Sequence, residues 1–87
     1  MIEDEKMKKD DLYIEAKRLA ENLRKEKLES YAERIIFAME SGSTGTEIIM
    51  ALRWHIIDIL KNKDTKISKY IKNNAIRLCK EIDNLLK

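Results

Sequence analysis

The chain has no proline, two glycines, one cysteine and one histidine, and aromatic residues fill only 6% of its 87 positions. Each scarcity excludes something. Cys79 alone cannot close an internal disulfide, and it cannot supply a cysteine-based zinc site. That usage fits a reducing cytoplasm. No stretch approaches the ~20 consecutive apolar residues of a membrane span. The opening MIEDEKMKKDD holds no apolar run, so it does not read as a signal peptide. An excess of one charge is missing too. Eighteen basic and 16 acidic side chains leave a formal net charge of +2, too small to imply nucleic-acid binding. Nothing alternates with period two for long enough to suggest a strand.

What is present is helix-forming. The chain is 44% hydrophobic and 39% charged, and Lys, Glu, Ile, Leu and Ala dominate. At this length it makes one small domain that buries roughly 60–65% of the surface of its unfolded form. A core that thin makes a deep enzyme pocket costly. The charges are mildly segregated. Residues 1–40 carry 11 acidic and 9 basic side chains, and residues 41–87 carry 5 and 9.

Residues 1–9 mix charges without an apolar period and read as a flexible tail. A first helix is expected to begin at Asp10 or Asp11, whose carboxylates suit a helix N-terminus. Leu12, Ala16, Leu19, Ala20 and Leu23 then form one stripe. The phase breaks between Arg24 and Lys27. A second helix from about Leu28 to Glu40 has Tyr31, Ala32, Ile35, Ile36, Ala38 and Met39 on its face. Phe37 lies off that face; it either makes a partner contact or, the favoured reading, packs at a bundle edge. Ser41 to Gly45 ends this helix, and Gly42 suits a left-handed C-terminal cap. Thr44 and Glu47 have capping-box spacing ahead of a third helix from about Gly45 to Lys61. After a loop over 62–65, with Asp64 or Thr65 as cap, a fourth helix carries Ile67, Ile71, Ala75, Leu78, Ile82 and Leu85, the cleanest stripe in the chain. Asn74 falls within it. Helices of this length joined by short loops predict an all-α fold, a small up-and-down antiparallel bundle of about four helices. Residues 10–87 form the single domain.

The third helix is apolar on more than one side. At 100° per residue, Ile48, Leu52, Ile56 and Ile59 fall within about 80° of one another and form a core stripe. Met50, Trp54 and Ile57 gather on the opposite side, flanked by Arg53 and Asp58. Either the helix is sandwiched and both stripes are core, or the second stripe reaches the surface beside Arg53. Trp and Arg are favoured at binding hot spots, and Met adapts its shape.

The chemistry-bearing residues do not assemble a catalytic motif. Ser41, Ser43, His55 and Asp58 supply the types of a nucleophilic triad. The serines, however, lie three turns from His55, which is expected at the core margin, bonded to Asp58. GSTGTE resembles a phosphate loop at a helix start but lacks the Gly-Lys-Ser/Thr ending of a Walker motif, and Glu47 would repel phosphate. One histidine and one cysteine make a poor metal site, and the paired Glu-x-x-His of di-iron bundles is missing. No cofactor and no metal is expected. A helix-turn-helix would expose polar residues at the start of the third helix, where Ile48, Ile49 and Met50 stand. Lys66, Lys69, Lys72, Arg77 and Lys80 make the fourth helix basic, which a solvated lysine face explains.

Ala32, Ile35 and the run AMESGSTGTEIIMALRW from Ala38 to Trp54 resemble small helical immunity proteins of bacterial polymorphic toxin and contact-dependent growth inhibition systems. The resemblance covers roughly residues 12–60 and is sharpest from Gly42 to Trp54. It implies a cytoplasmic protein, not an enzyme, that binds and neutralises one cognate secreted toxin, a nuclease. The +2 charge departs from the acidic character of inhibitors of basic nucleases, so either acidic residues cluster locally, with Glu15, Glu21, Glu26, Glu29, Glu33 and Glu40 as candidates, or the toxin surface is not strongly basic. The expected partner-binding residues are Glu29, Glu33, Glu40, Ser43, Thr44, Glu47, Arg53 and Trp54. Two alternatives stand beside this reading. One is a DNA-binding regulator or antitoxin using the lysines of the fourth helix. The other is a homodimeric adaptor in which Met50, Trp54 and Ile57 pair with their own copies.

Overall fold

The computed structural model of the chain describes residues 9–42, 44–62 and 66–86. Within them lie four α-helices, α1 (Lys9–Lys25), α2 (Glu29–Ser41), α3 (Gly45–Lys61) and α4 (Lys69–Leu86), and no strand. The all-α bundle expected from the apolar periodicity is what forms. The third helix has the bounds expected of it. The first starts at Lys9, slightly before Asp10, and the second runs one residue past Glu40. The expected tail falls almost wholly outside the described residues, as do Ser43, Asp64 and Thr65. The fourth helix starts later than expected, at Lys69, so Ile67 precedes it; the Ser68 hydroxyl accepts the Ile71 N–H and caps it in place of the expected Asp64 or Thr65.

Helix α1 packs against α2 and α4, and α3 packs against the same two, so the helices close a ring in chain order. Ties at the helix ends show the antiparallel sense. The Asn62 side-chain amide, just past α3, donates to the Tyr31 hydroxyl near the start of α2. The Ser68 N–H, just before α4, donates to Glu26 Oε1 beyond the end of α1 at 3.3 Å.

The core is the meeting place of the stripes. Leu12, Ala16, Leu19, Ala20 and Leu23 of α1 are buried, as are Tyr31, Ala32, Ile35 and Ala38 of α2 and Ile71, Ala75, Leu78 and Ile82 of α4. Burying a large aliphatic side chain stabilises the fold by about 1.5–3 kcal/mol. Leu12, Leu23, Ile35, Leu52, Ile56, Ile59, Ile71 and Ile82 are fully enclosed. On α3 the stripe is Ile49, Leu52, Ile56 and Ile59. Ile48 was expected in that stripe but is only half-buried, and Ile49 takes its place. The α3 stripe is therefore rotated by part of a residue step towards Ile49, with Ile48 and Ala51 at its edge packed against the core.

The connections differ from expectation in two places. The turn between α1 and α2 has no glycine, yet Lys27 adopts φ 64°. The Leu28 N–H donates to the Leu23 carbonyl at 2.8 Å and the Lys27 N–H to the Arg24 carbonyl at 3.0 Å. This is the paired closure of a helix end in which the residue after the cap is left-handed, and Leu28 packs against the core. Gly42, in contrast, is not left-handed. Its φ of −77° and ψ of 145° are extended, so its role is one of space. A Cβ there would meet Ile48 Cγ1 at 2.5 Å.

Candidate functional site

Two outward faces carry the residues of interest. The first is on α2. Glu29, Glu33 and Glu40 lie within about 40° of one another around the helix, and all three are exposed. Phe37 stands beside them and is 65% exposed. Its expected packing at the bundle edge is therefore corrected. Its position off the buried face was the signal, because no neighbouring helix covers that direction. The other acidic candidates near α1 are partly occupied within the chain. Glu15 accepts from Arg18 at 3.3 Å and from Arg77 of α4 at 3.1 Å, and Glu26 accepts from the Ser68 N–H. The α2 stripe is thus the local acidic surface that the chain's overall charge conceals.

The second face is on α3. Trp54 is 63% exposed and Met50 56% exposed, while Ile57 is half-buried. Of the two readings of the second apolar stripe, the surface one holds. With Leu86 of α4 these side chains line an open groove of about 660 Å³, rimmed by Arg53, Asp58, Lys61 and Asp83. Ion pairs bound the face on both sides. Arg53 Nε donates to Asp83 Oδ1 of α4 at 2.7 Å, and this hydrogen bond holds the Arg53 pKa above its ordinary value. Arg34 of α2 donates to Asp58 Oδ2 at 3.0 Å and lies over the Tyr31 ring, 5.3 Å from its centroid.

The expected docking residues therefore divide. Glu29, Glu33 and Glu40 form one surface on α2. Glu47 and Trp54 belong to the outer face of α3, and Arg53 stands at its α4 edge, turned to Asp83. Thr44 has a structural task, since its hydroxyl accepts the Glu47 N–H at 3.1 Å and caps α3 as the capping-box spacing predicts. Ser43 lies outside the described residues. Lys61 and Leu86 are the surface residues that sequence reasoning did not select, and Phe37 is one for which it favoured packing over partner contact.

His55 is half-buried and meets Trp54 edge to face, with ring centroids 5.1 Å apart. The expected bond from His55 to Asp58 does not form; Asp58 accepts from Arg34. His55 Nδ1 is buried without a hydrogen-bond partner. Burial, with a smaller contribution from the Arg34 charge, pushes the His55 pKa below its ordinary value, and Asp58 offsets only part of this. The Ser41 hydroxyl donates to the Phe37 carbonyl at 2.7 Å, so it does not approach the imidazole. Cys79 is half-buried, and burial raises its thiol pKa, which disfavours the reactive thiolate. Among the described residues there is no group of three or more His, Cys, Asp or Glu able to hold a metal ion. No helix among them is long and apolar enough to cross a membrane.

On α4, Lys69, Lys72 and Lys80 are exposed, and Arg77 is paired with Glu15. No family model, curated protein or solved structure matches the chain.

Proposed function

We propose that this chain is a binding protein that neutralises a cognate secreted toxin in the bacterial cytoplasm, as an immunity protein does, and that the toxin is a nuclease. The observation that carries the reading is the exposed glutamate stripe of α2 with Phe37 beside it. A nuclease must attract polyanionic substrate, so its working surface is basic. A row of carboxylates beside an exposed aromatic ring complements such a surface in charge and offers it an apolar contact. Charge complementarity speeds encounter more than it adds affinity, and the aromatic ring serves as the desolvated anchor. Full protection needs nanomolar binding, about −12 kcal/mol. A standard interface of roughly 1,600 Å² reaches that when its anchors fit well. Inhibition is stoichiometric and requires no chemistry from this chain.

Calorimetric titration against the C-terminal domain of whatever protein is encoded immediately upstream of the gene tests the proposal. Nanomolar binding with one toxin per chain, together with rescue from toxicity, supports it. A folded pair that does not bind removes the cognate-inhibitor reading for that neighbour. The exposed lysines of α4 favour one second reading, a DNA-binding regulator. Its mark is duplex affinity that falls steeply with salt.

A further inference from the structure

The outer face of α3 has a symmetry that toxin binding does not use. Trp54 stands at its middle. Glu47 comes seven residues before it and Lys61 seven residues after. On an α-helix each lies about 10 Å along the axis from Trp54 and about 20° off its line. Both are exposed. Met50 comes four residues before Trp54 and Ile57 three after, both on the side facing α4, where they line the groove with Leu86. The face therefore reads acid, a largely apolar centre in which Asp58, one turn after Trp54, is paired with Arg34, and base.

We propose that a second copy of this chain occupies the face, with the two α3 helices packed antiparallel about a two-fold axis through Trp54. In that arrangement a residue before Trp54 faces the residue equally far after it on the other copy. Glu47 then meets Lys61 of the second copy, and Lys61 meets its Glu47. Met50 meets Ile57 on the same lateral side, and the two indoles meet on the axis. An isologous contact demands this self-complementarity. A parallel arrangement would set Glu47 against Glu47 and Lys61 against Lys61. The flanking charges fit as well, since Arg53–Asp83 and Arg34–Asp58 are ion pairs within the chain and add no excess of one sign at the edges. A carboxylate has about four acceptor sites, so a contact of Glu47 within its own chain leaves room for the ammonium.

A pair of facing helices buries less than the about 800 Å² per partner of a standard interface. The dimer is therefore weak and exchanges with monomer. It leaves the glutamate stripe of α2, on a different side of the bundle, open to a toxin, so either proposal can fail without the other.

Sedimentation equilibrium of the full chain, from about 10 µM to about 1 mM, spans the range of weak dissociation constants and tests the proposal. The expected result is a monomer–dimer equilibrium. Trp54→Ala, at an exposed position that leaves the core intact, weakens dimerisation more than about tenfold. Glu47→Lys and Lys61→Glu each weaken it by about two- to thirtyfold, because the symmetry counts each substitution twice. The double swap Glu47→Lys/Lys61→Glu restores it, since each new charge again faces its opposite. Circular dichroism confirms that each variant is folded. A monomer at every concentration overturns the proposal and leaves the face to a different partner. A dimer unmoved by Trp54→Ala, or a double swap weaker than both single variants, overturns it as well.

Discussion

Gly42 and Ile48 approach so closely that a methyl group on Gly42 would stand 2.5 Å from Ile48 Cγ1 and 3.1 Å from the Ile48 nitrogen. The backbone at Gly42 is extended and accessible to any residue, so the glycine is required by space alone. Gly42→Ala should destabilise the fold by about 1–3 kcal/mol through overpacking, measured by urea denaturation. In an Ile48→Ala background the nearest clash disappears, and the same substitution should cost clearly less. Equal costs in the two backgrounds would show that the contact is not responsible.

Lys27 poses the opposite case. It holds φ 64° without being a glycine, in a conformation that costs an L-residue roughly 1–2 kcal/mol. Its side chain is exposed, so little burial is lost with it. Lys27→Gly should stabilise the protein by about 0.5–1 kcal/mol after the larger backbone entropy of unfolded glycine is deducted. For a domain of this size that raises Tm by a few degrees, at roughly 4–8 °C per kcal/mol. A lower Tm would mean that the turn is not strained.

Two hydroxyls cap helices whose first amides would otherwise lack partners. Thr44 accepts from the Glu47 N–H at 3.1 Å, and Ser68 accepts from the Ile71 N–H at 3.2 Å. Thr44→Ala and Ser68→Ala should each cost about 1 kcal/mol in denaturant unfolding. They share no partner, so the double variant should lose the sum. A Thr44→Ala effect on toxin binding without an effect on stability would instead return Thr44 to the docking surface.

The contrast between Thr44 and Ser68 shows what sequence could reveal. Thr44 was legible because a glycine-containing break and Glu47 three residues on mark a capping box. Ser68 was hidden because Asp64 and Thr65 offer equally good caps a turn earlier. The stripes of α1 and α4 were legible because each buries one face at strict three- and four-residue steps. On α3, apolar residues occur on both sides. Periodicity locates two stripes but cannot say which neighbour covers each, so Ile48 and Ile49 exchanged roles and the exposure of Met50 and Trp54 stayed open. Phe37 was misjudged for a related reason: an aromatic ring suggests burial, although its helical position points outward. The pairing of Asp58 with Arg34 in place of His55 depends on how α2 sits beside α3, which no local spacing encodes.

His55 should make stability sensitive to mild acid. Its pKa in the folded protein lies below the ordinary value, because the ring is partly desolvated and Arg34 is near. In the unfolded chain it titrates near 6.5. Between those two values the unfolded state binds more protons than the native state, so stability falls as the pH is lowered. The contribution is fully present above about pH 6.5 and is lost as the pH drops towards the folded pKa. Asp58, already paired with Arg34, offsets this only in part. Denaturation of the wild type and of His55→Gln between about pH 7.5 and about pH 5 should show a steeper decline in the wild type. Parallel curves would mean that the histidine charges freely in the folded state.

The glutamates of α2 provide the most direct test of docking. Glu29→Lys/Glu33→Lys/Glu40→Lys alters exposed positions and leaves every core contact in place. Glu29 sits in the first turn of its helix, where a carboxylate is favoured by about 0.3–1 kcal/mol. Some loss of stability is therefore expected, but not unfolding. If the stripe meets a basic nuclease surface, association at low salt should slow by about tenfold or more, and the difference should shrink as salt screens the charges. Stopped-flow mixing with the cognate domain, once titration has identified it, measures both. An association rate equal to the wild type at low salt would exclude the α2 stripe as the docking face, whatever the affinity. A rate that falls equally at low and high salt would point to lost packing around Phe37, not to lost attraction.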